Sequence, residues 1–164
     1  MTFLTAWLAS FPGFMTPLLL ASLGLILCER AGILNLGAEG LMAVGAMTGA
    51  VAALSGLAPW PALALGAGAA LAISVPFILA VVILRAPQIP AGLALVAIGL
   101  GAAAALGRDW THKPFAGLQT LPWPDALTGI PLIGRMLFAQ DGLVYLSVLL
   151  AGALSILLHR TRTG

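Results

Sequence analysis

Long apolar stretches separated by short polar breaks run through the whole chain. Charged residues are absent from four stretches: 1–28, 40–84, 86–107 and 142–158. A helix needs about 20 apolar residues to cross the hydrocarbon core of a bilayer, and lipid offers backbone amides no hydrogen-bond partner. Each stretch therefore predicts transmembrane helix. The stretch 40–84 is long enough for two helices, which Gly56, Pro59 and Pro61 separate.

The breaks between the apolar stretches set the boundaries of five predicted helices. We expect the first helix to begin near Phe14, because Pro12-Gly13 would interrupt a helix that started earlier. The pair Thr16-Pro17 is typical of an N-cap followed by proline at the first helical position. The predicted spans are 14–28, 36–54, 62–84, 90–106 and 142–158, with a polar loop at 107–141.

Two of the later helices carry local signals of their own. Pro76 predicts a kink in the third span, because proline removes one backbone N–H from the helix. Asp141 is a natural N-cap for the fifth span. The pattern therefore predicts an all-α protein, a polytopic transmembrane helical bundle of about five spans that forms a single transmembrane domain over 1–164.

The composition narrows the class of protein further. The chain is 61% hydrophobic and only 7% charged, whereas ordinary globular domains carry about 25% charged residues. So few charges cannot cover a surface that faces water, which excludes a soluble enzyme. The net charge of +2 comes without a basic cluster, so we expect no nucleic-acid partner. The surrounding medium is expected to be the lipid bilayer.

The orientation in the membrane is predicted from the basic residues in the short loops, which favour the cytoplasmic side. One side collects Arg30, Arg85, Arg160 and Arg162 in short segments. The other side collects Arg108, Lys113 and Arg135, spread along the loop 107–141. We therefore expect the ends of the first, third and fifth spans in the cytoplasm, and the long loop outside.

Asn35 and Glu39 form the most informative polar pair in the chain. A carboxylate within a membrane segment is costly and usually faces a bundle interior or a water-filled path. On a helix the spacing of four residues would place both side chains on one face. The nearby glycines also fit a broken or late-starting helix whose exposed backbone lines a cavity. Alternatively, Glu39 lies near the cytoplasmic interface and only snorkels or pairs with an arginine.

Further candidates follow from single residues. Gln88 marks a tight turn at the entrance of the fourth span, where it could contact substrate or cap the helix. Gly37, Gly40 and Pro76 are candidate hinges, because they weaken or interrupt the helical hydrogen-bond ladder. Together, Asn35, Glu39 and Gln88 are the candidate residues of a substrate path.

Small residues recur at four-residue spacing in three of the predicted helices. Such rows let helices approach closely in lipid, so they predict packing and not chemistry. The rows are Gly45 with Gly49, then Ala62 with Gly66 and Ala70, and Ala97 with Gly101 and Ala105.

Recognisable catalytic and cofactor motifs are missing from the sequence. It contains no His-Glu-x-x-His or Gly-x-Ser-x-Gly motif, and neither histidine has a neighbour at metal-ligand spacing. The Walker A pattern is missing as well. We therefore expect no catalytic, metal or cofactor site on this chain, and we expect a partner or a gradient to supply the energy for any transport.

Several segments resemble the integral-membrane permeases of nucleoside and simple-sugar ABC importers, within the branched-chain amino acid permease superfamily. The similar segments cover nearly the whole chain: TPLLLASLG at 16–24, ERAGILNLGAEGLM at 29–42, QIPAGLAL at 88–95 with GLG at 99–101, IPLIG at 130–134, LFAQ at 137–140 and LVYL at 143–146. The resemblance implies that Asn35 and Glu39 belong to a helix near the translocation path.

The same resemblance implies an activity and a set of partners. It implies a multi-pass protein of the plasma membrane that imports nucleosides and is not itself an enzyme. Its implied partners are ABC ATPase subunits, a second permease subunit and an extracytoplasmic substrate-binding protein. Two alternatives stay open: a permease for simple sugars or branched-chain amino acids, and a self-contained small channel or assembly subunit.

The length of the chain departs from this resemblance. Members of the family run to roughly twice this length and continue beyond a segment similar to residues 160–164, towards the region that docks on the ATPase. We therefore expect the sequence to be the N-terminal half of a longer permease, either as a fragment or as one piece of a split protein.

Overall fold

The regular structure of the chain is helical, as the sequence predicted. A computed structural model describes residues 3–114, 117–124 and 133–160. Within these ranges, extended backbone is paired only at a single antiparallel bridge between Thr120 and Asp141. The helices are α1 (Phe3–Arg30), α2 (Ala38–Leu54), α3 (Pro59–Ile78), a π-helical turn (Leu79–Ile83), α4 (Gln88–Gly107), a 3-10 turn (Arg108–Trp110), α5 (Ile133–Phe138) and α6 (Gly142–Arg160).

Most of these helices are long and apolar enough to cross a membrane. Four candidate spans satisfy both conditions: Trp7–Arg30, Pro59–Ile83, Gln88–Trp110 and Gly142–Arg160. The apolar helix α2 is shorter, with 17 residues. Large apolar side chains are exposed along all of these helices, for example Leu71, Ile98 and Leu149, as expected for surfaces that face lipid. The chain is therefore an all-α polytopic membrane protein with about five spans.

The predicted start of the first helix is wrong. Helix α1 begins at Phe3, and both Pro12 and Pro17 lie inside it. Two side chains donate hydrogen bonds to carbonyl groups close to the prolines. The Thr16 hydroxyl donates to the carbonyl oxygen of Pro12 at 2.9 Å. The Gln140 Nε2 group donates to the carbonyl oxygen of Ala9 at 2.8 Å. These bonds add to the ladder near the prolines and do not replace the two bonds that the prolines remove. Prolines are nevertheless tolerated inside membrane helices, so Thr16 is an interior residue and not an N-cap.

The other helices begin or end within a few residues of the predicted boundaries. Helix α2 begins at Ala38, two residues later than expected, and α4 begins at Gln88. The cap predicted at the start of α6 is confirmed. Asp141 Oδ1 accepts hydrogen bonds from the backbone N–H groups of Leu143 (3.0 Å) and Val144 (3.1 Å).

The chain divides into two compact units. One unit comprises residues 27–117, with α2, α3 and α4. The other comprises residues 1–26 and 118–164. In this second unit, the ring of Trp123 lies 5.5 Å from that of Phe138 and 6.2 Å from that of Tyr145. The Tyr145 hydroxyl donates to the carbonyl oxygen of Leu137 at 2.7 Å, which links α6 to α5.

Helices α2 and α3 run antiparallel and meet through glycines. A Cβ built at Gly66 would lie 2.5 Å from the carbonyl oxygen of Gly45 and 3.3 Å from Cα of Gly49. A Cβ built at Gly45 would approach Gly66 and Ala70, farther along α3. The small-residue rows predicted in these two helices therefore form a packing interface, because only glycine allows this approach.

Helices α2 and α4 run parallel and approach each other even more closely. A Cβ at Gly40 would lie 2.6 Å from the carbonyl oxygen of Leu95, and a Cβ at Gly99 would lie 2.5 Å from that of Gly40. The row predicted around Gly101 is wrong, since a Cβ there would meet nothing within 4 Å. The contact face of α4 instead carries Gly92, Leu95 and Gly99.

Candidate functional site

The segment that connects α1 to α2 is non-helical and begins with a tight left-handed turn. Gly32 has a φ of 77°, a conformation that favours glycine. Its N–H donates to the carbonyl oxygen of Glu29 at 3.0 Å, and the N–H of Ile33 donates to that of Cys28 at 2.9 Å. This pair of bonds is a Schellman motif, which ends the helix and satisfies two of its terminal carbonyl groups.

Asn35 lies in this connecting segment, before the helix that carries Glu39. Its Oδ1 accepts a hydrogen bond from the backbone N–H of Gly37 at 2.9 Å, which forms a local turn. The expectation that Asn35 and Glu39 share one helix face is therefore wrong. The structure instead has the late-starting helix, since α2 begins only at Ala38. The three glycines in residues 32–40 favour turn and loop geometry before it.

Glu39 lies in the first turn of α2 and is exposed. The partial positive charge at a helix N-terminus stabilises a carboxylate in this position. Asn35 is half-buried. These two polar side chains thus flank the point at which the segment turns into α2, at one end of the unit 27–117.

Gln88 connects this segment to the start of α4, although the two are more than 50 residues apart in sequence. Its Oε1 accepts a hydrogen bond from the backbone N–H of Leu34 at 2.6 Å. Its Nε2 donates to the carbonyl oxygen of Gly32 at 3.2 Å. The side chain does not cap its own helix, so the capping role predicted for it is wrong. No periodicity or motif in the sequence indicated this long-range contact.

The segment continues along the glycine-containing face of α4. A Cβ at Gly92 would lie 3.1 Å from Leu36, and a Cβ at Gly37 would lie 2.5 Å from the side chain of Leu95. Four of the α4 residues that meet the segment or α2 are Gln88, Gly92, Leu95 and Gly99, spaced alternately by four and three residues. This spacing places them on one face of the helix.

A small apolar core lies beside this face. It contains Phe77, Val81 and Leu95, and Ile33 and Leu41 pack against it. Ile33 belongs to the connecting segment, so apolar contact and hydrogen bonds both hold the segment in place. The segment is therefore an ordered part of the unit 27–117.

The helix hydrogen-bond pattern changes just after Pro76. Helix α3 continues into the π-helical turn, in which the N–H of Leu84 donates to the carbonyl oxygen of Leu79 at 3.0 Å. The N–H of Ala86 then donates to the carbonyl oxygen of Ala80 at 2.9 Å. Arg85, which precedes Ala86, has a left-handed φ of 53°. Single π-helical turns occur frequently at functional sites. Pro76 therefore stays a predicted hinge.

The two candidate hinge glycines have little free space around them. Gly37 and Gly40 are both buried, and a Cβ at either position would meet α4 at 2.5 Å or 2.6 Å. Close approach is therefore a sufficient reason for glycine at these positions. Their role as hinges stays a prediction.

An apolar groove of about 320 Å³ lies at the other end of the unit, between the C-terminal halves of α2 and α4. Trp110 and Thr111 are among the residues that line it. Lys113 Nζ lies 4.5 Å from the centre of the Trp110 ring, close enough for a cation–π interaction. Within the described ranges, no group of three or more His, Cys, Asp or Glu side chains could hold a metal ion.

Comparison with known proteins identifies the family. Residues 8–164 match the family described as branched-chain amino acid transport system / permease component. The chain is 31% identical to a putative glucose ABC transporter permease protein of Haloferax volcanii, over 91% of this chain and 46% of that protein. It is also 31% identical to a guanosine ABC transporter permease protein of Bacillus subtilis, over 87% and 47% of the two chains.

A third relative is a nucleoside ABC transporter permease protein of Lactococcus lactis, which is 32% identical over 92% of this chain and 51% of its own length. The chain thus spans about half the length of the curated relatives that it matches. No solved structure matches the chain. The helical membrane architecture and the match over nearly all residues agree, and the chain belongs to the family of ABC transporter permease components.

Proposed function

We propose that this chain is part of the membrane-spanning subunit of an ABC importer that takes up nucleosides across the plasma membrane. The observation that carries the proposal is the similarity to two permeases named for guanosine and nucleosides, each over most of this chain. Simple sugars are the second candidate cargo, because the relative from Haloferax volcanii is named for glucose. The family description also keeps branched-chain amino acids as a candidate.

The proposed mechanism needs several partners. The sequence carries no Walker A pattern, so separate ATPase subunits would hydrolyse ATP, and this chain would hold no cofactor and act as a permease, not as an enzyme. A second permease subunit would complete the membrane path, and an extracytoplasmic binding protein would deliver cargo. Transport would follow alternating access, in which ATP binding and release shift the permease between two conformations.

We place the cargo path beside Asn35 and Glu39. Helix α2 is covered on two sides by glycine contacts with α3 and α4, whereas Glu39 is exposed. A carboxylate that faces lipid is costly, so an exposed one in a membrane protein favours a water-filled path, a polar partner or the interface. The half-buried Asn35 adds a neutral amide next to it, which suits hydroxyl-rich cargo such as a nucleoside or a sugar.

The contacts of Gln88 also support the proposed orientation. They join the end of α1 to the start of α4, so the breaks after α1 and after α3 lie at the same end of the unit 27–117. Both breaks carry an arginine, Arg30 and Arg85, which favours the cytoplasmic side for this end. The segment 107–141 then lies on the extracytoplasmic side.

Uptake of radiolabelled guanosine by cells that express the intact transporter tests the cargo. We expect an excess of unlabelled nucleosides to suppress uptake, and ribose, glucose and leucine to leave it unchanged. Suppression by glucose or ribose alone would contradict the nucleoside assignment in favour of a sugar. Uptake that persists when the ATPase subunits are inactivated would contradict the importer and favour a self-contained channel.

The path assignment is tested by Glu39→Gln and Asn35→Ala. We expect each variant to lower kcat/KM for uptake about tenfold, which corresponds to about 1.4 kcal/mol of transition-state stabilisation. Glu29→Gln is the matched control, because Glu29 is also an exposed carboxylate but lies at the end of α1. Unchanged uptake in both path variants would refute the placement of the path.

A further inference from the structure

One side chain of α4 meets two hydrogen-bonding groups of the segment between α1 and α2. The carbonyl group of Gly32 and the N–H of Leu34 both lie outside any helix, and Gln88 bonds to each of them. A primary amide carries an acceptor oxygen and donor hydrogens on one carbon, so it fits this pair in one planar group at any pH near neutrality. Backbone groups in a membrane protein must find such partners inside the protein.

The Gln88 side chain and its two hydrogen bonds, to Gly32 and Leu34, form a clamp. The clamp lies next to the polar residues of the proposed path. Gln88 holds the backbone at 32–34, and Asn35 follows directly. The backbone then reaches Gly37, which packs on Leu95. The position of Asn35 is thus fixed on both sides by contacts with α4.

We propose that Gln88 is a positioning residue of the transport path: its amide holds the connecting segment on α4 and so sets where Asn35 and Glu39 stand. It acts through that segment and does not itself contact cargo. This inference rests on the proposed function for its effect on transport, but the clamp itself is testable without any cargo.

Gln88→Glu tests the clamp, because the substitution keeps the shape of the side chain and makes its donor depend on pH. A protonated carboxyl can donate to Gly32 and accept from Leu34, as the amide does. An ionised carboxylate only accepts, so it faces the Gly32 carbonyl oxygen with a second acceptor and should release the segment. The titratable and charged groups on the elements around the clamp are Cys28, Glu29 and Arg30 of α1, Glu39 of α2, and Arg85. They are the same in wild type, which is therefore the reference for each pH.

The first readout is the backbone amide of Leu34, observed by NMR in detergent-solubilised protein with labelled leucine. We expect the Leu34 signal of Gln88→Glu to move with pH as the introduced carboxyl ionises, and the wild-type signal to stay in place. Gln119→Glu is the control, because Gln119 is an exposed residue of the other unit. A Leu34 signal that does not respond to pH in Gln88→Glu would overturn the clamp.

The second readout is uptake by the intact transporter at low and high pH. We expect Gln88→Glu to match wild type when the carboxyl is protonated and to lose about tenfold in kcat/KM when it is ionised, an effect of about 1.4 kcal/mol. The wild-type pH profile is the reference for this loss. Full activity while the Leu34 signal shifts would overturn the positioning role. If wild type takes up no nucleoside, the proposed cargo fails, while the Leu34 signal still decides the clamp.

Discussion

A methyl group added at Gly99 would collide with the backbone of α2. The new Cβ would lie 2.5 Å from the carbonyl oxygen, 2.6 Å from Cα and 2.7 Å from the carbonyl carbon of Gly40. Non-bonded carbon atoms are separated by about 3.5 Å or more at their optimum. Gly99→Ala therefore requires α2 and α4 to separate by about 1 Å, since the atoms that it meets belong to rigid helix backbone.

This separation sets the expected loss of stability. Overpacking of a close interface costs about 1–3 kcal/mol, and the better helix propensity of alanine returns at most about 1 kcal/mol. The atoms that the new Cβ meets are backbone and cannot rotate away, so the overpacking cost lies in the upper part of its range, at about 2–3 kcal/mol. After the propensity gain, we expect Gly99→Ala to lower the free energy of unfolding by about 1–2 kcal/mol. For a chain of this size each kcal/mol corresponds to about 2–4 °C in Tm, so the expected shift is about 2–8 °C downwards.

Thermal unfolding in detergent, followed by intrinsic fluorescence, measures this shift, because Trp60 and Trp110 lie in the unit that contains the interface. Gly101→Ala is the control on the same helix. A Cβ there meets nothing within 4 Å, so only the propensity gain remains and Tm should stay constant or rise slightly. Equal Tm values for Gly99→Ala and wild type, or equal losses in the two variants, would refute the close-contact argument.

Three further predictions concern local backbone geometry and use the same unfolding measurement. Gly56→Ala should lower stability by about 1 kcal/mol because Gly56 has a φ of 93°, whereas the helical Gly68→Ala should not; equal effects would contradict this reasoning. Asp141→Ala should lower the free energy of unfolding by about 1 kcal/mol through loss of the α6 cap, and Asp141→Asn should keep most of that stability. An Asp141→Ala variant as stable as wild type would argue against the cap. Arg85→Gly should raise stability by about 1 kcal/mol, because glycine relieves the left-handed φ of 53°, and a loss would show that the arginine side chain matters more.

The number and approximate positions of the long helices were predictable from the sequence, because uncharged stretches and their glycine and proline breaks follow directly from the physics of the bilayer. Local rules worked where their partners lie close in sequence, as for the Asp141 cap. The same rules failed for α1. The rule that proline breaks a helix comes from helices in water, whereas membrane helices tolerate proline in their interior, and α1 continues through Pro12 and Pro17.

The candidate site was predictable in part. The polarity of Asn35 and Glu39 within an apolar chain drew attention to the segment between α1 and α2, and the glycines fitted a helix that begins late. The contacts of Gln88 could not be read from the sequence, because they depend on how α4 packs beside the segment. Likewise, four-residue spacing alone pointed to Gly101 in α4, although Gly92 and Gly99 form the actual contacts.

The amide of Gln88 also bears on how a non-helical connection keeps one shape at the end of a helical unit. A short connection between two helices leaves backbone groups outside the helical ladder, and water can bond to them in many arrangements. Here the carbonyl group of Gly32 and the N–H of Leu34 each have a partner in one side chain of α4. A movement of α4 would therefore carry this connection with it, which couples the start of α2 to the start of α4.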